Sequence, residues 1–411
     1  MKKEKYIVLG DSYNVIRLIK SFKNISNHIE CIVGDYEEEK INNIPTFYYI
    51  EDAIERFGKD IVVAVSSEYD MKNIKEFLND NFGIADNSVI ELRLALLNIL
   101  KNDYNVKLTP ISIRLELCTL CQLNCLDCYM RKNNYGNTGK GYLNFENFKK
   151  IVDQNEYIEE IEISNSGEVF LNPDIVKILQ YAYKKNICIT IENGVNFNTI
   201  SEKVIEALVK YQVNSMTFSI DGASQETYSI YRRNGNFDKV IDNIKLLIKY
   251  KEKYNSQIPY LKWQYILMNH NECDIKKAKK IAKSLDIEIY FKKDWENKYK
   301  PKDKKKILNL TGLDYDEKPI DSPFCWQDCI QMILFPQINY DGRILGCCTN
   351  FQHDWNLNSL DSGLTNCLNS EYYMNGIYRL LGDGQIKNNG DPCCKCWYYD
   401  LIDKEKKFIE L

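Results

Sequence analysis

Four cysteines lie close together in the middle of the chain, at Cys118, Cys121, Cys125 and Cys128. The last three have the spacing C-x3-C-x2-C, which can wrap one corner of a cubane and ligate three irons of a 4Fe–4S cluster. The fourth iron would then lack a protein ligand, so that a substrate or cofactor could bind it and exchange an electron. All four thiolates could instead hold a structural zinc ion. The spacing alone therefore predicts a metal centre and leaves its metal open.

The composition also indicates that sulfur would hold such a metal. The chain has 411 residues and 15 cysteines but only three histidines, His28, His270 and His353, none of which pairs at metal-ligand spacing. The apolar stretch near the N-terminus is too short for a signal peptide, and no window reaches the ~18 apolar residues of a membrane span. We therefore expect a cytoplasmic protein, in which clustered thiols are metal or iron–sulfur ligands more often than disulfides.

The charge balance excludes two classes of partner. The 54 basic and 58 acidic residues give a net charge of −4, so we expect neither nucleic acid nor a membrane as a partner. The one dense basic run, KYKPKDKKK at residues 298–306, is predicted to be a solvated linker.

The region after residue 105 predicts the elements that position the cysteine loop. Short apolar runs alternate with amphipathic helical stretches, which predicts a parallel sheet that curls into an incomplete (β/α)6 barrel similar to a TIM barrel. Asn172 and Pro173 are predicted to start a helix as its cap and first helical residue. The predicted strands are 111–117, 160–164, 188–191, 215–220, 261–268 and 287–291, and the predicted helices are 144–153, 173–183, 201–209, 237–250 and 274–284. The cysteine loop follows the first strand, at the carboxyl edge where such sheets carry their active sites.

Residues 1–105 predict a separate Rossmann-like α/β domain. Its predicted strands are 6–10, 29–33, 46–50 and 60–65, and its predicted helices are 51–56, 71–78 and one that Asp11 or Ser12 would cap and that would bury Val15, Leu18, Ile19 and Phe22. The first turn offers only Gly10, and Asp35 ends the second strand, where a ribose-binding acid could sit. Nucleotide or sugar-nucleotide binding and a docking role without a ligand both remain open.

The motifs that follow one another over residues 110–292 resemble the radical S-adenosylmethionine (SAM) superfamily. Cys121, Cys125 and Cys128 match its cysteine motif on the loop after the first strand. Asn165-Ser166-Gly167-Glu168 is similar to the GGE motif that contacts the SAM amino group. Ser219-Ile220-Asp221-Gly222 resembles a segment that faces the ribose and methionine part of SAM, and Arg232 lies in a stretch similar to the family's arginine-containing segment.

The resemblance implies both the cofactors and the reaction. SAM would chelate the open iron, and a reduced cluster would cleave it to a 5′-deoxyadenosyl radical that abstracts hydrogen from a substrate C–H bond. The sequence departs from the family at Ser166, which replaces the first glycine of GGE, and at Val169, where proline is common. Asp127 stands where a hydrophobic or aromatic residue is usual, and Leu126 or Tyr129 could compensate. Cys118 occupies a threonine or serine position and is expected to be a spare thiol.

Eight of the 15 cysteines lie in residues 324–411. The spacing C-x12-G-x4-C from Cys329 through Gly342 to Cys347, followed by C-x2-C from Cys393 to Cys396, resembles the SPASM/Twitch extension of radical SAM enzymes. By that resemblance these four cysteines ligate one auxiliary 4Fe–4S cluster, and residues 340–342 form an Asp-Gly hairpin turn. The cysteines left over are Cys325, Cys348, Cys367 and Cys394. A zinc ribbon and a second auxiliary cluster remain as alternatives.

Together these features predict a radical SAM oxidoreductase with four consecutive segments. They are the Rossmann-like domain at 1–105, the partial barrel at 106–295, a linker at 296–323 and the auxiliary-cluster domain at 324–411. An auxiliary cluster could accept the electron left on a substrate radical, which favours a net oxidation of a small-molecule or carbohydrate-type substrate. Modification of a ribosomal peptide or protein is the second reading, and a non-catalytic zinc-ribbon interaction protein is an alternative of a different class. A flavodoxin or ferredoxin is the expected electron donor.

Overall fold

The computed structural model describes residues 4–10, 13–132, 134–294, 298–316, 327–348, 355–383 and 390–396. The chain folds into two compact units, and each combines separate stretches of the sequence. The barrel unit consists of Ile113–Pro323 and Ile338–Arg343. The terminal unit consists of Met1–Ser112, Phe324–Gln337 and Ile344–Leu411, and so joins both ends of the chain.

The barrel unit is built on six neighbouring strands. In their order across the sheet, starting from its edge, they are Glu288–Lys293, Tyr260–Leu267, Ser215–Ser219, Cys188–Val195, Glu160–Glu162 and Ser112–Leu115. The strands from Glu160 to Lys293 pair in parallel. The α/β fold with a parallel-sheet core predicted for this region is therefore confirmed.

The strand Ser215–Ser219 shows why the sheet can carry a polar site. All five residues are buried, yet serine and threonine alternate with Met216 and Phe218. Since successive side chains of a strand point to opposite faces, one buried face is apolar and the other is polar. The apolar face suits packing against helices, and the polar face suits a binding site.

The helices of the barrel unit follow the strands. They are Tyr129–Lys132, Phe145–Gln154, Ile175–Lys184, Glu202–Lys210, Gln225–Tyr231, Phe237–Lys253, Ile275–Ser284 and Lys304–Thr311. The helix Gln225–Tyr231, which the sequence pattern did not predict, is capped by Ser224. The helix Lys304–Thr311 lies within the segment that we expected to be a linker, and its Ile307 is fully buried.

The predicted start of the second helix is wrong. The helix begins at Ile175, two residues after Pro173. Asp174 holds the cap position, and the amide of Asn172 instead donates to the carbonyls of Leu117 and Leu143, both at 2.8 Å. The side chain thus holds the loop after the first strand in place.

The first part of the terminal unit is a six-stranded sheet. Its order is Lys40–Ile41, Ile44–Phe47, Ile29–Val33, Tyr6–Leu9, Val62–Val65 and Val89–Glu91, with helices Tyr13–Lys20, Ile50–Phe57, Met71–Phe82 and Leu92–Asn102. Tyr6–Leu9 lies centrally and pairs in parallel on both sides. Phe22 is buried as predicted but lies in the short strand Phe22–Lys23, outside the helix. The predicted caps Asp11 and Ser12 lie outside the described residues.

The C-terminal stretches complete the terminal unit. Their elements are the helices Gln327–Leu334, Ser359–Ser362, Leu364–Leu368 and Glu371–Leu380, the strand Ile344–Gly346 and the 3-10 helix Pro392–Lys395. Polar contacts tie them to the N-terminal part. Asn369 accepts from the backbone N–H of Leu108 and donates to its carbonyl, both at 2.8 Å, and Lys101 pairs with the buried Asp383 at 2.6 Å. Among the described residues, no helix is both long and apolar enough to cross a membrane.

Candidate functional site

The loop that follows the first barrel strand brings three cysteines together. The thiols of Cys121, Cys125 and Cys128 are partly buried, and the charges of Cys125 and Cys128 both act on Cys121. Burial, followed by the charge of Glu168, raises the pKa of Cys121 to about 12. Such a thiol stays protonated at neutral pH unless a metal displaces its proton.

Cys118 lies apart from this group in its contacts. It is fully buried, forms an isolated backbone bridge with Tyr142, and has its pKa raised to about 11 by burial. Within the described part of the chain, no three His, Cys, Asp or Glu side chains are arranged to hold a single metal ion.

Glu168 is a buried acid with one unused oxygen. Its Oε2 accepts from the backbone N–H of Asn196 at 2.8 Å, whereas its Oε1 is buried and has no hydrogen-bond partner. Burial raises the pKa of Glu168 to about 7. The backbone N–H of Glu168 donates to the carbonyl of Leu120 at 2.8 Å, which places the carboxyl beside the cysteine loop.

Gly167 allows the two loops to touch. A Cβ at this position would lie 2.2 Å from the carbonyl oxygen of Cys118 and 2.7 Å from the Cα of Thr119. Both atoms belong to the backbone and cannot move aside cheaply. Glycine is therefore required here so that Glu168 can reach the cysteine loop.

Arg232 and Asp221 form a buried pair next to Cys125. The Nε of Arg232 donates to Oδ2 of Asp221 at 2.6 Å, and its Nη1 donates toward the sulfur of Cys125 at 3.8 Å. Burial opposes the charge of Arg232, but the negative charges of Asp221 and Cys125 outweigh it and hold the pKa of Arg232 well above its usual range. Asp221 also accepts from the backbone N–H of Ile266 at 2.8 Å, so it serves to orient Arg232.

The end of the strand Cys188–Val195 supplies a site residue that sequence reasoning missed. Besides its bond to Glu168, Asn196 donates its amide toward the sulfur of Cys121 at 3.6 Å and accepts from Gln122 at 2.8 Å. The predicted Ser219 lies nearby, since a Cβ at Gly194 would meet its hydroxyl at 2.2 Å. The sequence feature that could have indicated Asn196 as a site residue is its position just after a parallel strand.

Glu116 is a second missed residue. It is 1% exposed on the chain just after the strand Ser112–Leu115, and burial raises its pKa to about 7. The hydroxyl and backbone N–H of Ser166 and the backbone N–H of Cys118 donate to it, while its Oε2 is buried without a hydrogen-bond partner. Glu116 therefore ties the start of the cysteine loop to the loop that carries Glu168.

The predicted auxiliary cysteines also lie together, in the terminal unit. Burial raises the pKa of Cys393 well above its usual range, and the charges of Cys347, Cys329 and Cys396 add to this effect. The side chain of Asp391 caps the 3-10 helix that carries Cys393. The Asp-Gly turn predicted between Cys329 and Cys347 is present, with Gly342 at φ 86°.

The spare cysteines have other surroundings. The sulfur of Cys394 accepts from the guanidinium of Arg379, which also pairs with Asp391 at 3.1 Å. The backbone N–H of Cys348 donates to the side-chain oxygen of Gln331 at 3.0 Å. Cys367 is buried beside Asp361, and burial raises its pKa. Cys325 lies outside the described residues.

Comparison with known proteins identifies the central segment. Residues 115–277 match the sequence profile of the Radical SAM superfamily. This segment is a radical SAM domain. It contains the three clustered cysteines, Glu168 and Arg232.

Two curated relatives share part of the chain. An AdoMet-dependent heme synthase of Methanosarcina barkeri is 28% identical over 142 residues, which are 34% of this chain and 40% of the relative. An uncharacterised protein of Methanocaldococcus jannaschii is 26% identical over 141 residues, which are 33% of this chain and 43% of the relative. The matched part thus spans less than half the length of these relatives.

A solved structure resembles the fold over a longer range than the radical SAM domain. The crystal structure of Streptococcus suis SuiB bound to the precursor peptide SuiA has a TM-score of 0.52 at 15% identity and covers 89% of both chains. At this identity the likeness concerns the fold alone.

Proposed function

We propose that this chain is a radical SAM oxidoreductase in which Cys121, Cys125 and Cys128 hold the SAM-binding 4Fe–4S cluster. Gly167, Glu168, Ser219, Asp221 and Arg232 would surround SAM. The observation that carries the proposal is the unpartnered Oε1 of Glu168, a buried carboxyl whose charge acts on the thiol of Cys121.

The Oε1 of Glu168 is suited to accept a hydrogen bond from a cationic donor. A buried carboxylate oxygen without a partner costs about 1–3 kcal/mol, and a bound ammonium group would remove that cost. Asn196 fixes the other oxygen of Glu168 at 2.8 Å, so the free one has a defined position. The amino group of SAM is a donor of this kind.

The chain's own residues position and shield the reactants. When bound, the reduced cluster and SAM supply a 5′-deoxyadenosyl radical that takes a hydrogen atom from the substrate. Asp221 holds Arg232 against Cys125, and Asn196 links Glu168 to Cys121. Because Asp221 and Glu168 are at most 1% exposed, water is kept from this side of the site.

The terminal unit would hold one auxiliary 4Fe–4S cluster on Cys329, Cys347, Cys393 and Cys396. The charges of the other three thiols act on Cys393, and a set of four thiols suits an iron–sulfur cluster with no open position. Such a cluster could accept the second electron of a net oxidation, the first having left the substrate with the hydrogen atom. We expect the protein to act in the cytoplasm.

Two substrate classes follow from different observations. The polar inner face of the strand Ser215–Ser219 favours a polar small molecule or carbohydrate-type substrate. The fold similarity to SuiB, whose crystal structure contains its precursor peptide, favours a peptide as the second candidate.

Anaerobic purification followed by cysteine replacement tests the proposal. A brown protein with about eight irons per chain is expected, and dithionite should drive cleavage of SAM to 5′-deoxyadenosine. Replacing Cys121, Cys125 or Cys128 by Ala should abolish this cleavage, whereas Cys118→Ala should retain most of it. Cys393→Ala should remove about four irons and leave SAM cleavage intact.

A colourless protein that holds one or two zinc ions would instead support the interaction-protein alternative. Equal loss of cleavage in all four variants of the cysteine loop would contradict the ligand assignment.

A further inference from the structure

Two neighbouring cysteines in the last described segment, Cys393 and Cys394, face different helices. The thiol of Cys393 lies 3.7 Å from the sulfur of Met332, on the helix Gln327–Leu334. Met332 follows Cys329 by three residues, and helical side chains at this spacing lie on the same face. Cys393 therefore faces the side of the helix that carries another proposed ligand of the auxiliary cluster.

Cys394 faces a buried charge pair instead. Its sulfur accepts from Nη1 of Arg379, a residue of the helix Glu371–Leu380 that is 3% exposed. The same guanidinium meets the carboxylate of Asp391 through two contacts, Nη1 to Oδ1 at 3.2 Å and Nη2 to Oδ2 at 3.1 Å. Such a two-point contact fixes the orientation of both groups, because the guanidinium is planar and rigid.

Asp391 connects the guanidinium to the backbone of the turn. Asp391 is fully buried, and its Oδ1 caps the 3-10 helix Pro392–Lys395 by accepting from the backbone N–H of Cys394 at 3.2 Å. The carbonyl of Asp391 accepts from the same N–H at 3.0 Å. Arg379 thus holds the sulfur of Cys394 directly and the backbone of Cys394 through Asp391.

A sulfur in these surroundings is a poor ligand for iron. A guanidinium is a permanent cation with five N–H donors and no acceptor atom, so it cannot itself bind a metal. An iron ion at the sulfur of Cys394 would lie beside this cation in a buried place, where like charges repel each other more strongly than in water. Of the two neighbouring thiols, only that of Cys393 is therefore suited to a cluster.

We propose that Arg379 is a positioning residue that determines which cysteines of this turn bind the auxiliary cluster. By holding Cys394, it leaves Cys393 and Cys396 as the ligands. The inference rests on the proposed function, because it requires an auxiliary cluster in the terminal unit. Without the guanidinium, Cys394 becomes available as a ligand and can replace Cys393.

The experiment measures the iron content of the full-length protein after anaerobic reconstitution. With Arg379 present, Cys394→Ala should keep about eight irons per chain, whereas Cys393→Ala should keep about four. Arg379→Met/Asp391→Asn removes both charges together, so that no buried carboxylate is left unpaired, and it should keep about eight irons. Adding Cys393→Ala to this charge-free variant should leave at least about six irons, because Cys394 can then bind the auxiliary cluster.

A further replacement, Cys394→Ala, is the matched control for the regained iron. Added to the charge-free variant that carries Cys393→Ala, it should return the iron content to about four per chain. A merely structural role of Arg379 would not give this pattern, since a less stable protein loses iron and does not regain it.

Arg379→Lys provides a second background if the charge-free variant does not unfold cooperatively in urea. Lysine keeps a positive charge for Asp391 but lacks the planar fork that contacts the carboxylate and the sulfur at the same time. Cys393→Ala should therefore regain auxiliary iron in this background as well.

The wild-type protein separates a failure of this inference from a failure of the proposed function. If wild type holds about eight irons but Cys394→Ala loses as much iron as Cys393→Ala, or if neither background returns iron to Cys393→Ala, the role of Arg379 is overturned. If wild type itself holds only about four irons and cleaves SAM with dithionite, the auxiliary cluster of the proposed function is wrong, and this role of Arg379 with it.

Discussion

At the scale of single residues, the buried carboxyl of Glu116 makes stability depend on pH. Burial raises its pKa from 4.5 to about 7. A carboxyl with a raised pKa binds more protons in the folded chain than in the unfolded chain, so its contribution to stability is present at low pH and is lost as pH rises through the folded value. We expect the free energy of unfolding to fall by up to about 3 kcal/mol between pH 4.5 and 7 because of this group.

Urea denaturation at a series of pH values measures this effect. In Glu116→Gln the fall should become smaller by this amount, because the amide does not titrate, and the part that comes from Glu168, whose pKa burial also raises to about 7, should remain. Glu226→Gln removes an exposed carboxylate and should leave the pH dependence unchanged. If the free energy of unfolding depends on pH in the same way in wild type and in Glu116→Gln, Glu116 does not titrate in this range.

The same residue explains a departure from the family motif. The sequence showed that Ser166 stands where the GGE motif has glycine, but it gave no reason. In the structure the hydroxyl of Ser166 donates to Glu116. A pattern within one loop could not predict this bond, because the partner Glu116 lies 50 positions earlier, just after the strand Ser112–Leu115.

Cysteine spacing predicted which cysteines would be ligands, but not what the remaining cysteines contact. Spacing predicted Cys393 and Cys396 as ligands, and the charges acting on Cys393 come from Cys347, Cys329 and Cys396. That Cys394 faces Arg379 depends on a contact with the helix Glu371–Leu380. Neighbouring side chains of a tight turn point in different directions, and this cannot be deduced from spacing.

At the scale of elements, periodicity predicted the barrel strands but not their ends. The pattern ended the third strand at Ile191, whereas the strand continues to Val195 with an irregular register between these residues. Gly194 has a positive φ of 98° there. Such an irregularity re-aims the side chains that follow, and it lets Asn196 reach Glu168. The alternation of apolar residues in the sequence does not predict this irregular register.

The surroundings of Gly10, just after the strand Tyr6–Leu9, predict that this unit binds no nucleotide. The hydroxyl of Tyr36 donates to the carbonyl of Gly10, and a Cβ at Gly10 would lie 2.7 Å from the Cβ of Ser66 and 3.0 Å from a carboxylate oxygen of Glu68. Side chains of the chain itself thus fill the space over Gly10. The negative charge of Glu68 would also repel a phosphate.

Thermal unfolding with millimolar NAD, NADP or a UDP-sugar tests whether the terminal unit binds a nucleotide. The expected midpoint is the same with and without each nucleotide, because a ligand that does not bind the folded state cannot stabilise it. SAM, added to the reconstituted protein, is the positive control and should raise the midpoint. A rise with any of the three nucleotides would show that the Rossmann-like sheet has kept a binding role.

At the scale of the whole molecule, the sequence did not show which segments form one body. The composition predicted four consecutive segments, and the structure has two compact units, one of which contains both ends of the chain. Its polar contacts join residues far apart in sequence, for example Arg93 and the carbonyl of Leu381 at 3.0 Å. Local patterns cannot predict such pairs, since each partner alone resembles an ordinary surface residue.

Asn369 provides the last prediction, because it links the two parts of the terminal unit. Its side chain satisfies both the N–H and the carbonyl of Leu108, a residue that is fully buried. Asn369→Ala would leave these two backbone groups without partners and should lower the free energy of unfolding by about 2 kcal/mol. Since the proposed auxiliary ligands belong to the same unit, we expect the variant also to lose auxiliary iron during purification, while dithionite-driven SAM cleavage remains.

Asn366→Ala is the matched control for this variant. Asn366 lies three residues earlier, is exposed, and donates only locally, to the carbonyl of Ser362 at 2.9 Å. Its replacement should change the free energy of unfolding by no more than about 0.5 kcal/mol and should leave the iron content unchanged. If the two variants unfold at the same urea concentration and retain the same iron, the N-terminal part does not support the cysteine-rich part. If only Asn369→Ala loses iron, the N-terminal domain serves to hold the auxiliary site in place.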